Sequence, residues 1–201
     1  MDCTGFTLTG RHVTLEPLTQ AHLEEIRSAA ADGELWKLFF TSVPEPEQTQ
    51  QWLDTALSMQ QESKAVPFAI RHNASGKIIG STRFCNIELK HRRVEIGYTW
   101  YARSMQRSPV NTECKYLLLT HAFEQWQCIA VEFRTDWFNK RSQAAIERLG
   151  AKRDGVLRNH MILPDGRIRD TVVYSILQSE WAGVKQNLTF LQMKYEEAAK
   201  C

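Results

Sequence analysis

Three short stretches of the 201-residue chain carry residue types that can do chemistry together. The first is the turn Gln106-Arg107-Ser108-Pro109-Val110-Asn111, which opens into a helix starting Thr112-Glu113. Free backbone N–H groups at a helix start, with the aligned peptide dipoles behind them, form an anion site that a pyrophosphate fits. An ordinary loop capped by Asn111 or Thr112 accounts for the same residues. The second stretch is Asn139-Lys140-Arg141-Ser142. Three residues apart, Asn139 and Ser142 point to one side of a first helical turn, so one can cap while the other faces a ligand, or both can cap. The third is Glu95, on a strand over residues 93–102, where a period of two puts it on the face of Gly97, Thr99 and Tyr101. A carboxylate there can act as a general base, or as a structural partner for Arg92 or Arg93.

The elements that must position these groups are legible from periodicity. Residues 11–18 alternate and read as a first strand ended by Pro17. Thr19 can cap a helix carrying Leu23 and Ile26, and a second helix over 47–62 has Trp52, Leu53, Ala56 and Met59 on one stripe. Strands follow at 66–71, 77–85 and 93–102, the first two joined by the turn Asn73-Ala74-Ser75-Gly76. A helix over 112–126, a strand over 129–136 and a helix capped by Asn139 and closed by Gly150 come next. A hairpin around Leu163-Pro164-Asp165-Gly166 joins strands 151–162 and 167–177, before a last helix over 179–199. Three consecutive strands and then a strand–helix–strand unit predict an α+β fold, a mixed sheet flanked by helices.

The bulk properties bound the function. The length fits a single domain over 1–201, and the formal net charge of +2 gives no reason to expect nucleic acid or a membrane surface as partner. The five cysteines match no zinc or redox spacing, and no cluster of His, Cys and carboxylates predicts a metal. Cys85, Cys114 and Cys128 lie in apolar surroundings, as buried free thiols of a reducing, cytoplasmic compartment would. No basic segment followed by an apolar run is visible at the start of the sequence, and no apolar stretch reaches about 18 residues. The terminal helix, with Leu188, Phe190, Leu191, Met193 and Tyr195, can pack on its own domain or on a second chain, leaving monomer and homodimer both open.

In their order, these motifs resemble the GNAT superfamily of N-acetyltransferases, and within it the ribosomal-protein N-terminal acetyltransferase (RimJ/RimL-like) branch. Leu8 to Leu18 is similar to the family's opening strand, and Val94-Glu95-Ile96-Gly97-Tyr98 to its central strand. Gln106 to Asn111, followed by Thr112, stands in the place of its coenzyme A pyrophosphate loop. Asn139, Ser142, Ala145 and Leu149-Gly150-Ala151 are similar to its second coenzyme A motif. The resemblance covers residues 8–180. It implies a mostly antiparallel sheet of about seven strands with a splayed central strand. It also implies acetyl-CoA as co-substrate and transfer of the acetyl group to a primary amine, of a small molecule or a protein N-terminus, in a ternary complex.

The resemblance assigns roles. Backbone N–H groups near Trp100, Tyr101 and Ala102 would face the thioester oxygen. Gln106, Arg107, Ser108, Pro109, Val110, Asn111 and Thr112 would hold the pyrophosphate, and Asn139 the pantetheine arm. Ser142 would protonate or hydrogen-bond the leaving sulfur, and Glu95 would be the base. Trp36, Phe39, Phe40 and the loop Ser42-Val43-Pro44 would wall the acceptor site, although core packing accounts for these aromatics too. The loop departs from the family's pattern, since two glycine positions hold Pro109, which has no N–H, and the bulkier Asn111. That departure favours an alternative function, a non-catalytic coenzyme A-binding or regulatory protein on the same fold.

Overall fold

The computed structural model describes residues 5–198. Cys3, Cys201 and the expected helical residue Ala199 lie outside them. Eight strands form one sheet in the order β1-β2-β3-β4-β5-β6-β8-β7. They are β1 (Leu8–Thr9), β2 (Val13–Pro17), β3 (Ala65–His72), β4 (Ile78–Glu88), β5 (Arg93–Tyr101), β6 (Ala130–Asp136), β7 (Lys152–Ile162) and β8 (Ile168–Leu177). The helices are α1 (Leu23–Ala31), α2 (Thr49–Gln61), α3 (Val110–Thr120), α4 (Lys140–Arg148) and α5 (Trp181–Ala198). The sheet has one strand more than expected because the residues before β2 fold back as the short β1, pairing Leu8 with Leu15. Every strand pair is antiparallel except β5 with β6.

Two cores cover the two faces of the sheet. On one face Val94, Ile96, Phe84 and Val131 pack beneath α3, α4 and α5, through Cys114, Leu118, Ile146 and Leu188. On the other, Ala69, Ile78 and Trp100 pack beneath α1 and α2, through Ile26, Ala30, Leu53 and Ala56. Burying the expected apolar stripes in this way supplies the main driving force for placing the helices. The expected free thiols Cys85, Cys114 and Cys128 are all buried and unbridged.

Helix boundaries depart from the sequence reading for local reasons. Thr19 precedes a 3-10 turn over Gln20–His22, in which the Thr19 N–H donates to His22 Nδ1 at 3.0 Å, so α1 starts only at Leu23. Pro46 opens a similar turn ahead of α2. The helix expected from Thr112 begins two residues earlier, at Val110, with Pro109 in the preceding helical position at φ −64°. Proline suits a helix start, because its fixed φ is helical and its missing N–H has no partner to lose there. Beyond Thr120 the chain widens into a π turn over His121–Gln125, closed by the Trp126 N–H on the His121 carbonyl.

Candidate active site

The site is made by the parting of two strands. β5 and β6 pair over Arg93–Ala130, Val94–Val131 and Glu95–Glu132 and no further, although both strands continue. The cause lies in β5. Ser81 faces Trp100 and Arg83 faces Gly97, so Thr82 alone opposes Tyr98 and Thr99. Tyr98 takes the left-handed conformation, φ +52°. A bulge of this kind bends its strand and re-aims the side chains beyond it.

The bulge corrects one expectation. Glu95 and Gly97 do share a face, but the alternation inverts at the bulge. Thr99 therefore turns to the α3 side, where its Oγ1 accepts from Lys115 Nζ at 2.7 Å. Tyr101 follows it and donates from its hydroxyl to Asn111 Oδ1 at 3.1 Å. Trp100 lies in the opposite core.

Between the parted strands lies a cavity of about 640 Å³. Glu95, Gly97 and Thr99 line it from β5, Phe133 and Asp136 from β6, and Asn139 and Ser142 from the start of α4. Glu95 and Ser142, far apart in sequence, thus share one space. Glu95 is 7% exposed, and burial raises its carboxyl above the ordinary value while the Asn86 hydrogen bond and the Arg134 charge oppose that. Its Oε2 accepts from Asn86 Nδ2 at 2.8 Å and lies 3.4 Å from Arg134 Nε. Arg92 and Arg93 are not its partners; Arg93 pairs with Glu132 instead. The Oε1 atom lies over Gly97, where an added Cβ would meet it at 3.0 Å, so glycine leaves this oxygen its place.

Asn139 caps α4, its Oδ1 accepting the Ser142 N–H at 3.0 Å. Of the two residues that the sequence offered as caps, Asn139 is the one whose side chain acts as one. Among the described residues the Ser142 hydroxyl has no hydrogen-bond partner, and it lines the cavity. Tyr101 offers a backbone donor at the same gap. The Ala102 N–H points at β4, bonding the Ile79 carbonyl at 2.8 Å, so the preceding Tyr101 amide turns to the opposite, open edge. By the same alternation the Trp100 amide turns toward β4.

The loop Gln106 to Asn111 lies beside a second cavity of about 550 Å³, walled by Arg103, Gln106, Arg107 and Arg141 on one side and by Gly33, Glu34, Leu35, Lys37 and Leu38 on the other. Arg107 holds φ +60°, supplying the left-handed turn that a glycine would otherwise provide. Arg141 fixes Gln106 by donating to its Oε1 at 2.8 Å, and Ser108 donates to the Met105 carbonyl at 2.6 Å. Neither expected cap acts as one. Asn111 turns its side chain to the Tyr101 hydroxyl, and Thr112 Oγ1 accepts from Arg148 at 3.0 Å. The Asn111 and Thr112 amides then have no intrahelical acceptor, which is the anion-ready state of a first helical turn.

Of the expected acceptor-site aromatics, Phe39 and Phe40 line the larger cavity, with Ser42 beside them. Trp36 lines neither cavity, and Val43 is buried in the core beneath α1. Sequence reasoning missed Asn86, Asp136, His160 and Arg169. Asn86 comes from β4 through its pairing with β5 and Asp136 from the end of β6, while the pairing of β6 with β8, and of β8 with β7, brings Arg169 and His160 to the gap.

This chain belongs to the GNAT acetyltransferase family, whose acetyltransferase (GNAT) domain model matches residues 12–152. It is 32% identical over 110 residues to YdaF of Bacillus subtilis (strain 168), provisionally named a ribosomal N-acetyltransferase; the match spans 55% of this chain and 59% of YdaF. A crystal structure from T. thermophilus, of a protein provisionally called an acetyltransferase, is similar with TM-score 0.83 and 39% identity, covering 94% of this chain and 98% of that one. The fold also matches the microcin C7 self-immunity acetyltransferase MccE, solved with acetyl-CoA and AMP, at TM-score 0.72 and 20% identity over 84% of this chain and 93% of that one.

Proposed function

We propose that the protein transfers the acetyl group of acetyl-CoA to a primary amine by direct attack in a ternary complex. The observation that carries this reading is the single cavity that the buried Glu95 and the residue Ser142, whose hydroxyl has no partner among the described residues, both line, between the parted ends of β5 and β6. The cavity walled by Arg103, Arg107 and Arg141 supplies cationic groups for a pyrophosphate, and the first turn of α3 supplies amides. The residues present therefore fit a coenzyme A thioester.

The chemistry follows from the amine. A lysine side chain has a pKa near ~10.4 and an α-amino group near ~7.7–8.0, so either must lose a proton to attack. Glu95 Oε1, free of protein partners beside Gly97, takes that proton directly or through water. As the new N–C bond forms and the C–S bond breaks, the Tyr101 amide at the open strand edge steadies the negative oxygen. Ser142 donates a hydrogen bond to the departing sulfur. The YdaF name makes a ribosomal protein's N-terminus one acceptor to test, beside small amines. The three buried thiols suit a reducing cytoplasm.

Calorimetric titration with acetyl-CoA, followed by thiol release across a panel of amines and N-terminal peptides, tests the reading. Binding with turnover on at least one amine is expected. Binding without turnover on any would leave a regulatory protein, and absence of binding would overturn both readings.

A further inference from the structure

The charges around the larger cavity do not cancel. Three carboxylates, Glu95, Glu132 and Asp136, face four guanidiniums, Arg93, Arg134, Arg167 and Arg169. Three of the four are committed. Arg93 is paired with Glu132, and Arg134 reaches Glu132 at 3.1 Å as well as Glu95. Arg167 reaches Asp136 Oδ2 at 2.7 Å, donates to the Phe39 carbonyl at 3.2 Å and stacks over the Phe39 ring. Both oxygens of Asp136 are thus engaged, since its Oδ1 accepts the Phe138 N–H at 2.9 Å.

Arg169 is the surplus. It lines the cavity from β8, its side chain is 21% exposed, and its nearest carboxylate oxygen, Asp136 Oδ2, stands 3.9 Å away, beyond hydrogen-bond reach. Among the described residues its Nε is buried with no hydrogen-bond partner, as are those of Arg134 and Arg167, but unlike those two it has no other nitrogen hydrogen-bonded to a carboxylate. A buried guanidinium N–H without an acceptor is costly, and a planar fork of donors matches a carboxylate. It also acts electrostatically on Glu95, whose carboxyl its charge favours in the ionised form.

We infer that Arg169 anchors a carboxylate of the acceptor, so that the amine acetylated here belongs to a molecule bearing a carboxylate close to its amino group. This rests on the acetyltransferase reading for the amine and on Arg169 alone for the anion. The carboxylate can be that of a free amino acid or an acidic side chain next to a peptide N-terminus; the chemistry recognised is the same.

Binding of product-like probes to the protein saturated with coenzyme A separates these sources without needing turnover. N-acetylglycine is compared with N-acetylglycinamide, and an N-acetylated dipeptide amide with Asp in second position with its Asn counterpart. In at least one pair the carboxylate is expected to bind tenfold tighter or more. Arg169→Ala should abolish the difference, and Arg169→Lys should retain part of it. Equal binding within both pairs, no binding by any probe, or a preference that survives Arg169→Ala would overturn the inference. If Arg169→Ala does not fold, the comparison of pairs on the unaltered protein still decides. A carboxylate preference without thiol release on any amine would instead count against the acetyltransferase reading and leave the anion site standing.

Discussion

Lys115 Nζ donates to Thr99 Oγ1 at 2.7 Å, and Thr99 Oγ1 lies 2.7 Å from Thr82 Oγ1, so a lysine is held by one threonine, itself paired with a second, rather than by an acid. The bulge at Tyr98 creates this pairing by turning Thr99 toward α3. Lys115 is 5% exposed, and burial lowers its ammonium from 10.5 to about 8.

Lys115→Met is therefore expected to change stability in a pH-dependent way. The folded protein holds this proton less tightly than the unfolded chain does. Below about pH 8 both states are charged and the burial cost is present in full; between about 8 and 10.5 only the unfolded chain holds the proton, and the cost is relieved as pH rises. Lys115→Met should stabilise the fold at pH 7 by roughly 2–4 kcal/mol, with the gain shrinking toward pH 10. Urea denaturation of both proteins at pH 7, 9 and 10 measures it. A difference independent of pH would mean that burial does not lower the pKa of Lys115, the folded protein holding the proton as tightly as the unfolded chain does.

Glu113 ties α3 to the sheet edge. Its carboxylate accepts the N–H groups of Arg11, His12 and Val13 at 2.8, 2.7 and 2.8 Å, and the residue is 3% exposed. Gly10 lies so close that an added Cβ would meet the Glu113 carboxyl carbon at 2.6 Å. Glu113→Gln keeps the shape but replaces a charged double acceptor by one oxygen and an NH2 that faces donors. A loss of about 2–4 kcal/mol is expected. A urea midpoint unchanged from that of the parent would show these bonds to be weak.

The legible and illegible parts of the molecule divide along a physical line. Local signals were enough for α4, where Asn139 caps and Gly150 takes φ +102°, and for the order strand, turn, helix over β5 and α3, though not for the caps of α3. The face of Tyr101 was misjudged because a bulge is a property of two strands. Nothing in Gly97-Tyr98-Thr99 alone announces that Thr82 will oppose two residues. The same holds for Glu95, whose partners Asn86 and Arg134 come from two other elements and replace the neighbours in sequence, Arg92 and Arg93. Of the wall of the cavity expected to face the acceptor, Phe39, Phe40 and Ser42 were legible. Asp136 and Arg169 reach it through sheet register, which periodicity does not encode.

Glu95→Gln tests the base. The substitution keeps a partner for Asn86 but cannot take a proton. Turnover at neutral pH should fall about a hundredfold. The rate profile should also move toward high pH, because the amine must then lose its proton unaided. In the parent enzyme the acidic limb should lie above the ordinary carboxylate range, since burial raises this carboxyl. Steady-state rates from pH 5 to 10 decide, and an unshifted profile would return Glu95 to a structural role.

Ser142→Ala separates catalysis from binding at the start of α4. The helix cap uses the Ser142 backbone N–H and not its hydroxyl, so alanine leaves the Asn139 bond intact and the fold undisturbed. Alanine also has the better helix propensity. The effect of the hydroxyl can then be read in isolation. If it donates to the departing sulfur, kcat should fall by about ten- to a hundredfold, the value of one hydrogen bond to a charged atom. Affinity for coenzyme A, which the proposed function assigns to the arginines of the neighbouring cavity and the first turn of α3, should stay within about threefold, less than one such bond is worth. Stopped-flow thiol release gives the first quantity and calorimetry the second. An equal loss in both would make Ser142 a binding residue, and an unchanged kcat would leave the sulfur to be protonated by water entering the gap between β5 and β6.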